Sequence, residues 1–554
     1  MNKEKIFTPY GAVPTDIQYE WLTRRSAFIH FTVNTFTNKE WGDGTESPSI
    51  FNPQKLDARQ WVSTLKKAGF TTAILTAKHH DGFCLWPSKY TEHSVKNSPY
   101  KNGKGDIVRE FTDACREYGL QAGIYLSPWD RNHPQWATPV YDEYYKNQLT
   151  ELLTEYGEIY EVWWDGAGSG KADYKWQEWV DIVRKYQPKC AIYGPIVSAD
   201  LNDLRWVGNE KGKADDDCFA TINIAELDCD NYCEVLSRGT PDGERFLPAE
   251  ADVSIRAGWF YHKEQDEMVK TPAELVDYWF TSAGKNSGLL LNIPPTTEGL
   301  FHKTDCENIL TWQRYMEDIF KTNLLLDANV IADSISEEYS ANNLLNEEDM
   351  YFVSNDAEVT FNFDSPVTFN CFKMAEEIRL GQRVRGFSFE YLEGEEWKSI
   401  CEGKSIGFCR AEYFDAVTTS AIRLRITESA ATPILKYMGI YKAPEEYFPE
   451  ERPGYYGKEL LELPTTVVTK REDGFEVEFG GIYTFSKVVF QSVGITKYEI
   501  LAFNGQDYEK VYAGENPSDF EVCFFKPVDY AYKFKILFPE GEIGDNEMMS
   551  VAYE

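Results

Sequence analysis

The 554-residue sequence predicts an α/β chain: an N-terminal (β/α)8-like barrel of the TIM type followed by two C-terminal β-sandwich modules. Two observations carry this. Residues 1 to about 330 alternate short apolar runs with helical patterns, the mark of βα units on a parallel sheet. Beyond that point the texture changes to period-2 strands with Gly and Asn turns. The domains read as 1–330, 331–443 and 444–554. A length of 554 also exceeds any ordinary single domain.

The strands follow in order. Phe28 to Phe31 is the first, and Asp57 caps an amphipathic helix running to Ala68. Thr72 to Ala77, Gln121 to Leu126, Ile159 to Trp164, Cys190 to Tyr193, Leu204 to Val207, Val253 to Ile255 and Leu289 to Ile293 complete eight. Helical stretches fall at Ile107 to Tyr118, Tyr144 to Tyr156 and Lys175 to Tyr186. In such a barrel, functional residues gather at the C-terminal ends of the strands. The later half carries turns at Leu392 to Glu395 and Phe503 to Gln506, and divides near the Pro- and Tyr-rich stretch Ala443 to Tyr456. Phe387 to Lys398 parallels Tyr498 to Lys510, and Ala421 to Ile426 parallels Tyr532 to Leu537, so the two modules read as repeats of one unit.

Composition narrows the function. Aromatic residues make up 15% of the chain, with 15 Trp and 34 Tyr; aromatic planes stack on the apolar faces of sugar rings. A net charge of -34 repels phosphate backbones and anionic lipid, so nucleic acid and membrane surfaces are excluded as partners. No apolar run approaches the roughly 20 residues of a membrane span. The first residues, Met1 to Phe7, carry no hydrophobic signal core, and compartment stays open. The 11 cysteines lack zinc-site spacing and read as mostly buried free thiols.

The sharpest local signal is Val162-Trp163-Trp164-Asp165-Gly166, a hydrophobic strand ending in a carboxylate ringed by tryptophans. Glycoside cleavage needs two carboxylates across the anomeric carbon. Glu210, after the short apolar strand ending at Val207, is a partner for Asp165; Glu250 and Asp252 compete with it. The acid needs a raised pKa, which a flanking Trp206 and the Asp165 charge could supply. His30, His79 and His80 sit at or beyond strand ends. On a regular strand His79 and His80 point to opposite faces, which argues against joint metal ligation; hydrogen bonding to sugar hydroxyls suits them. No metal and no cofactor are expected.

At these residues the chain resembles glycoside hydrolase family 29, the α-L-fucosidases. His30-Phe31, Glu40-Trp41-Gly42, Lys78 to Phe83, Gly123 to Ser127 and Trp163 to Gly166 occur in the family's order over roughly residues 5 to 300. The resemblance implies that Asp165 is the nucleophile and that His30, Glu40, Trp41, His79, His80, Tyr125 and Trp259 hold the sugar. Trp206 to Glu210 and Asp252 to Trp259 resemble the branch acting on α-1,3 and α-1,4 linkages of Lewis-type glycans, in which Glu210 is the acid/base. The implied function is a retaining exo-α-L-fucosidase acting on a fucosylated oligosaccharide or glycoconjugate. The other readings are a fucose-binding protein without turnover and an exo-hydrolase for another sugar. The modules resemble discoidin-like carbohydrate-binding sandwiches; three roles stay open for them, binding glycan, restricting the pocket for branched acceptors, or buttressing the barrel, with buttressing the favoured reading.

Overall fold

The computed structural model describes residues 6–553 apart from 169–171, 230, 346–349, 355, 451–457, 504–506 and 542. Eight parallel strands share one sheet: β1 Ser26–Ile29, β2 Thr72–Lys78, β3 Gln121–Leu126, β4 Glu161–Trp163, β5 Ala191–Tyr193, β6 Arg205–Trp206, β7 Ala249–Ser254 and β8 Gly288–Asn292. They run in the order β5-β4-β3-β2-β1-β8-β7-β6. A single parallel bridge between Tyr193 and Leu204 closes the ring.

Period-2 alternation decides what each strand residue touches. Ala27, Ile29, Ala73, Leu75, Ile124, Val162 and Ile192 face the helical layer. Phe28, Ile74, Tyr125, Trp163, Tyr193 and Leu290 fill the barrel interior. A short helix, α1 Asp16–Leu22, opens on a Thr15/Gln18 capping box and adds Trp21 and Leu22 to the interior cluster. The Trp21 ring lies against Gly288 at the start of β8, where any side chain would collide with it.

The outer helices are α2 Ala58–Lys67, α3 Ile107–Tyr118, α4 Pro139–Glu155, α5 Trp176–Tyr186, α6 Pro272–Thr281 and α7 Lys303–Ile319. Asp57 and Asp106 cap α2 and α3 through their side chains. α2 buries Trp61, Val62 and Leu65 on one face, each contributing about 1.5–3 kcal/mol of transfer free energy. Between β5 and β7, among the described residues, two 3-10 turns, Ile196–Ser198 and Ile224–Leu227, and the short helix Tyr232–Arg238 stand where full helices would sit. None of the described helices is long and apolar enough to cross a membrane.

Most expected strand bounds shift by one or two residues, and two boundaries shift further. α4 begins at Pro139, five residues before Tyr144, because proline is favoured in the first turn of a helix. β7 begins at Ala249 rather than Val253. Its inward positions are Glu250 and Asp252, so the alternation of a strand was masked by acidic residues that face a polar interior.

Each C-terminal module is one antiparallel sheet folded on itself. The first has β9 Asn329–Ile331, β10 Glu358–Glu376, β11 Val384–Glu393, β12 Glu396–Gly403, β13 Arg410–Ser429 and β14 Leu435–Tyr441. The second has β15 Val467–Arg471, β16 Gly474–Gln491, β17 Ile495–Phe503, β18 Tyr508–Glu515, β19 Phe520–Gly541 and β20 Met548–Ala552. Their strand orders, β9-β10-β13-β11-β12 with β14 on β10 and β15-β16-β19-β17-β18 with β20 on β16, are identical. The long strands change layer at breaks in register, between Asn362 and Val367 in β10 and between Tyr483 and Lys487 in β16. Pro366 and Pro527 occupy these breaks, where no ladder donor is required. Gly394 makes the first hairpin turn with φ 64°. In the expected turn Phe503 to Gln506, residues 504–506 lie outside the described residues, as do 451–457 in the expected linker. Ahead of those, Tyr447 stacks on Tyr315 of α7 at 3.8 Å.

Candidate active site

A cavity of about 600 Å³ opens at the C-terminal ends of the barrel strands. All nine residues singled out in the sequence line it: His30, Glu40, Trp41, His79, His80, Tyr125, Asp165, Glu210 and Trp259.

Asp165 lies two residues past the end of β4. Trp163 faces inward and stacks on Tyr193 at 4.0 Å. Trp164 faces outward, against Trp176 and Trp179 of α5. Alternation therefore corrects the expected ring of paired tryptophans: one borders the cavity and the other anchors the strand. Asp165 Oδ2 accepts a 3.0 Å hydrogen bond from the Tyr125 hydroxyl, and Oδ1 accepts one of 2.7 Å from the Ala167 N–H. His80 Nε2 lies 3.7 Å from Oδ2. The carboxylate is half-buried, with 27% of its side chain exposed, and its orientation is fixed from three sides.

The histidines do not obey the opposite-face expectation. β2 ends at Lys78, and the chain leaves the strand so that both rings enter the cavity with centroids 4.1 Å apart. Lys78 pins this turn: its buried ammonium meets Asp130 and Gln148, each at 3.0 Å. Asp81 sits behind, accepting from the Phe83 N–H and the Thr32 hydroxyl. Burial and the charge of Glu46 push the Asp81 carboxyl up to about 7. His80 Nδ1 pairs with the Ser127 hydroxyl at 2.8 Å, and His30 Nδ1 with Asn292 Oδ1 at 2.8 Å. Burial lowers all three imidazoles, His30 to about 4. Neutral imidazoles offer both donors and acceptors, the inventory that vicinal hydroxyls need.

Glu210 stands at the exposed rim, in a loop reversed by Gly208 (φ 85°) and Gly212 (φ 64°). A side chain at Gly208 would strike the Cys233 backbone at 2.4 Å. The Trp259 indole N–H donates to Glu210 Oε2 at 3.3 Å. Trp206, which lines the same cavity, donates its indole N–H to Asp252 at 2.9 Å. Of the competing acids, Asp252 lines the cavity; Glu250 lies below it and accepts from Trp163 at 2.9 Å. Burial and the nearby Glu210 charge hold Asp252 well above the usual carboxylate range.

Glu40 is a tie as well as a lining residue. Its carboxylate accepts from the N–H groups of Trp259 and Phe260 at 2.8 and 3.2 Å and meets His262 Nε2 at 2.5 Å. Trp41 crosses His80 and Trp129 edge-on, each at 5.8 Å. Among the described residues no group of three His, Cys, Asp or Glu is arranged to hold a metal ion.

Sequence reasoning missed the supports Asn292 and Ser127, although each is the polar residue at or just past an apolar strand end, where barrel function concentrates. It also missed that the cavity wall includes Lys487, Val489, Val522 and Phe524 of the second module. No local pattern marks that placement.

Comparison with known proteins agrees with this geometry. The family model for α-L-fucosidase matches residues 5–319. Alpha-L-fucosidase 1 of Arabidopsis thaliana is 38% identical over 465 residues, 79% of this chain and 90% of that protein. A glycoside hydrolase family 29 member from an unknown rumen bacterium superposes with a TM-score of 0.73 at 35% identity, covering 98% of this chain and 100% of that one. A Ruminococcus gnavus family 29 fucosidase in complex with fucose gives a TM-score of 0.74 at 32% identity, covering 80% and 97%.

Proposed function

The chain belongs to the α-L-fucosidases of glycoside hydrolase family 29, a retaining family, and on that premise we propose that Asp165 is the nucleophile and Glu210 the acid/base of fucose release. The observation that carries the assignment is that, of the four carboxyls lining the cavity, Asp165 and Glu210 stand in contrasting settings, while Glu40 is tied to the Trp259 and Phe260 N–H groups and Asp252 to Trp206. Asp165 is half-buried and oriented by Tyr125 and the Ala167 N–H; Glu210 is exposed at the rim.

Glu210 gives its proton to the glycosidic oxygen as Asp165 attacks C1, and the C1–O bond breaks through an oxocarbenium-like transition state. The leaving saccharide departs and a fucosyl ester of Asp165 remains. Glu210 then takes a proton from water, whose oxygen displaces Asp165 from C1, so two inversions give retention. His30, His79 and His80 hold the sugar hydroxyls as neutral donors and acceptors, with Glu40, Trp41, Tyr125 and Trp259 completing the pocket. Phe28 and Trp163 supply an apolar wall suited to the methyl of a 6-deoxy sugar. The substrate is a fucosylated oligosaccharide or glycoconjugate, with α-1,3 or α-1,4 fucose on a branched Lewis-type acceptor. Support for that linkage is the run Trp206 to Glu210 followed by Asp252 to Trp259, of which Trp206, Asn209, Glu210, Asp252, Ser254 and Trp259 line the cavity.

The test is fucose release from a Lewis-type trisaccharide, an α-1,2-fucosylated disaccharide and an aryl α-L-fucoside, with Asp165→Asn as control. Release mainly from the trisaccharide, absent in the variant, is expected. Equal cleavage of all three discards the linkage assignment.

A further inference from the structure

The register of the second module places four side chains on one patch. Lys487 of β16 pairs with Phe524 of β19, and Val489 pairs with Val522. Their neighbours Val488, Phe490 and Cys523 point the other way, into the module's own core. The four belong to no part of that core, yet all of them line the cavity that holds Asp165 and Glu210. Lys487, Val489 and Val522 are half-buried, and the Lys487 ammonium lies 5.7 Å from the Phe524 ring centroid.

The patch is fixed over the cavity by contacts around it. Phe520 meets Trp41 edge-on at 5.8 Å. Asp519 pairs with Arg131 at 2.6 Å, and Arg131 also donates to the Gly42 carbonyl at 2.9 Å. Lys526 pairs with Glu267 at 2.5 Å. The module is thereby tied to the loops carrying Trp41 and Trp259.

We propose that the Lys487, Val489, Val522 and Phe524 face is a wall of the leaving-group subsite, which grips the saccharide bearing the fucose and sets acceptor preference. This rests on the assignment of Asp165 and Glu210 as the reacting carboxyls. In a pocket whose floor holds the terminal sugar, the leaving saccharide extends toward the rim, where its oxygen must meet the acid Glu210. A wall at that rim meets the leaving saccharide rather than the fucose. The chemistry fits: an aromatic edge and two branched aliphatic groups suit the C–H face of a pyranose, and an ammonium donates to its hydroxyls.

The experiment compares kcat/KM for a Lewis-type trisaccharide with that for α-L-fucosyl fluoride, whose leaving group is one atom, in the full chain and in Phe524→Ala and Val522→Trp. The trisaccharide-to-fluoride ratio is expected to fall about tenfold in Phe524→Ala, the scale of a lost apolar pocket contact, and further in Val522→Trp, which fills the subsite. Val522 points away from the module core, so its replacement tests the wall even where Phe524→Ala disturbs folding. An unchanged ratio in both variants, or an equal fall on both substrates, overturns the proposal. A parent chain that hydrolyses neither substrate overturns the catalytic assignment itself, and this inference with it.

Discussion

The two β modules share one topology and present equivalent faces to the barrel in different ways. In the first, the second-layer pair of β10 and β13 sets Cys371 against Tyr413 and Lys373 against Ala411. That face is absorbed into the barrel's helical layer: Cys371 and Ala411 belong to the barrel's own core cluster. The Tyr413 ring meets Phe280 of α6 at 5.3 Å, and its hydroxyl donates to Asp277 at 2.9 Å. In the second, the matching pair of β16 and β19 faces the active-site cavity. A shared fold therefore fixes which side chains point outward, while docking position decides whether they buttress or line a site. The sequence expectation that the modules chiefly buttress describes the first of them.

The comparison can be broken or sharpened by substitution. The largest effect belongs to neither module. Asp165→Ala is expected to lower kcat by about 10⁴-fold or more while leaving the unfolding transition in place, with azide restoring turnover as fucosyl azide. A variant retaining substantial activity would move the chemistry elsewhere. Glu210→Gln is expected to lower kcat/KM on a Lewis-type substrate by about 10²–10⁴-fold and to act less on an activated aryl fucoside. Full activity on the poor leaving group would shift the acid role to Asp252.

Arg383→Ala tests the buttress. Its buried guanidinium donates to the carbonyls of Ile6, Thr8 and Thr432 at 2.7–3.0 Å, tying the first module to the N-terminal segment. Removing it strands the buried Ile6 carbonyl, while Thr8 and Thr432 are open enough to turn to water, so a loss of about 1–3 kcal/mol in unfolding free energy is expected, with kcat of the folded fraction little altered. A catalytic loss without destabilisation would erase the distinction between the modules.

Acid sensitivity should belong to the cavity. His30 is neutral when folded, its pKa lowered to about 4 by burial, and near 6.5 when unfolded. The unfolded chain then binds the extra proton, so this contribution is intact above pH 6.5 and is lost as pH falls to about 4, amounting to about 3 kcal/mol. Denaturant unfolding of the parent and His30→Gln at pH 7 and pH 4 reads it directly: the parent should lose more stability than the variant. The smallest effect is Asp519→Ala. It breaks an ion pair whose acidic partner is 53% exposed, worth less than about 1 kcal/mol, and a loss well above that would make the second module a structural buttress too.

Alternation and local caps were enough to read the barrel strands, the Asp57-capped helix and the repeat of the two modules, because those depend on neighbours in the chain. Asp165 was legible for the same reason: an apolar strand that ends in a carboxylate has its direction set by period-2 geometry. Glu250 and Asp252 were harder. Polar residues on the inner face of a barrel strand mimic a loop until the barrel closes around them. The pairing of His79 with His80 depended on where β2 stops, a point fixed by the buried Lys78 and its partners Asp130, in the loop after β3, and Gln148 of α4 rather than by the local pattern.

By itself, the sequence determined the succession of strands and helices, the residue types at the strand ends and the family's chemistry, since each follows from local periodicity or from an ordered set of motifs. Only the tertiary structure decided that Trp259 donates to Glu210, that Trp164 turns away from the site, and that the second module reaches the cavity. These are contacts between residues tens to hundreds of positions apart, set by how packed faces dock, and no local pattern in the chain encodes such a distance.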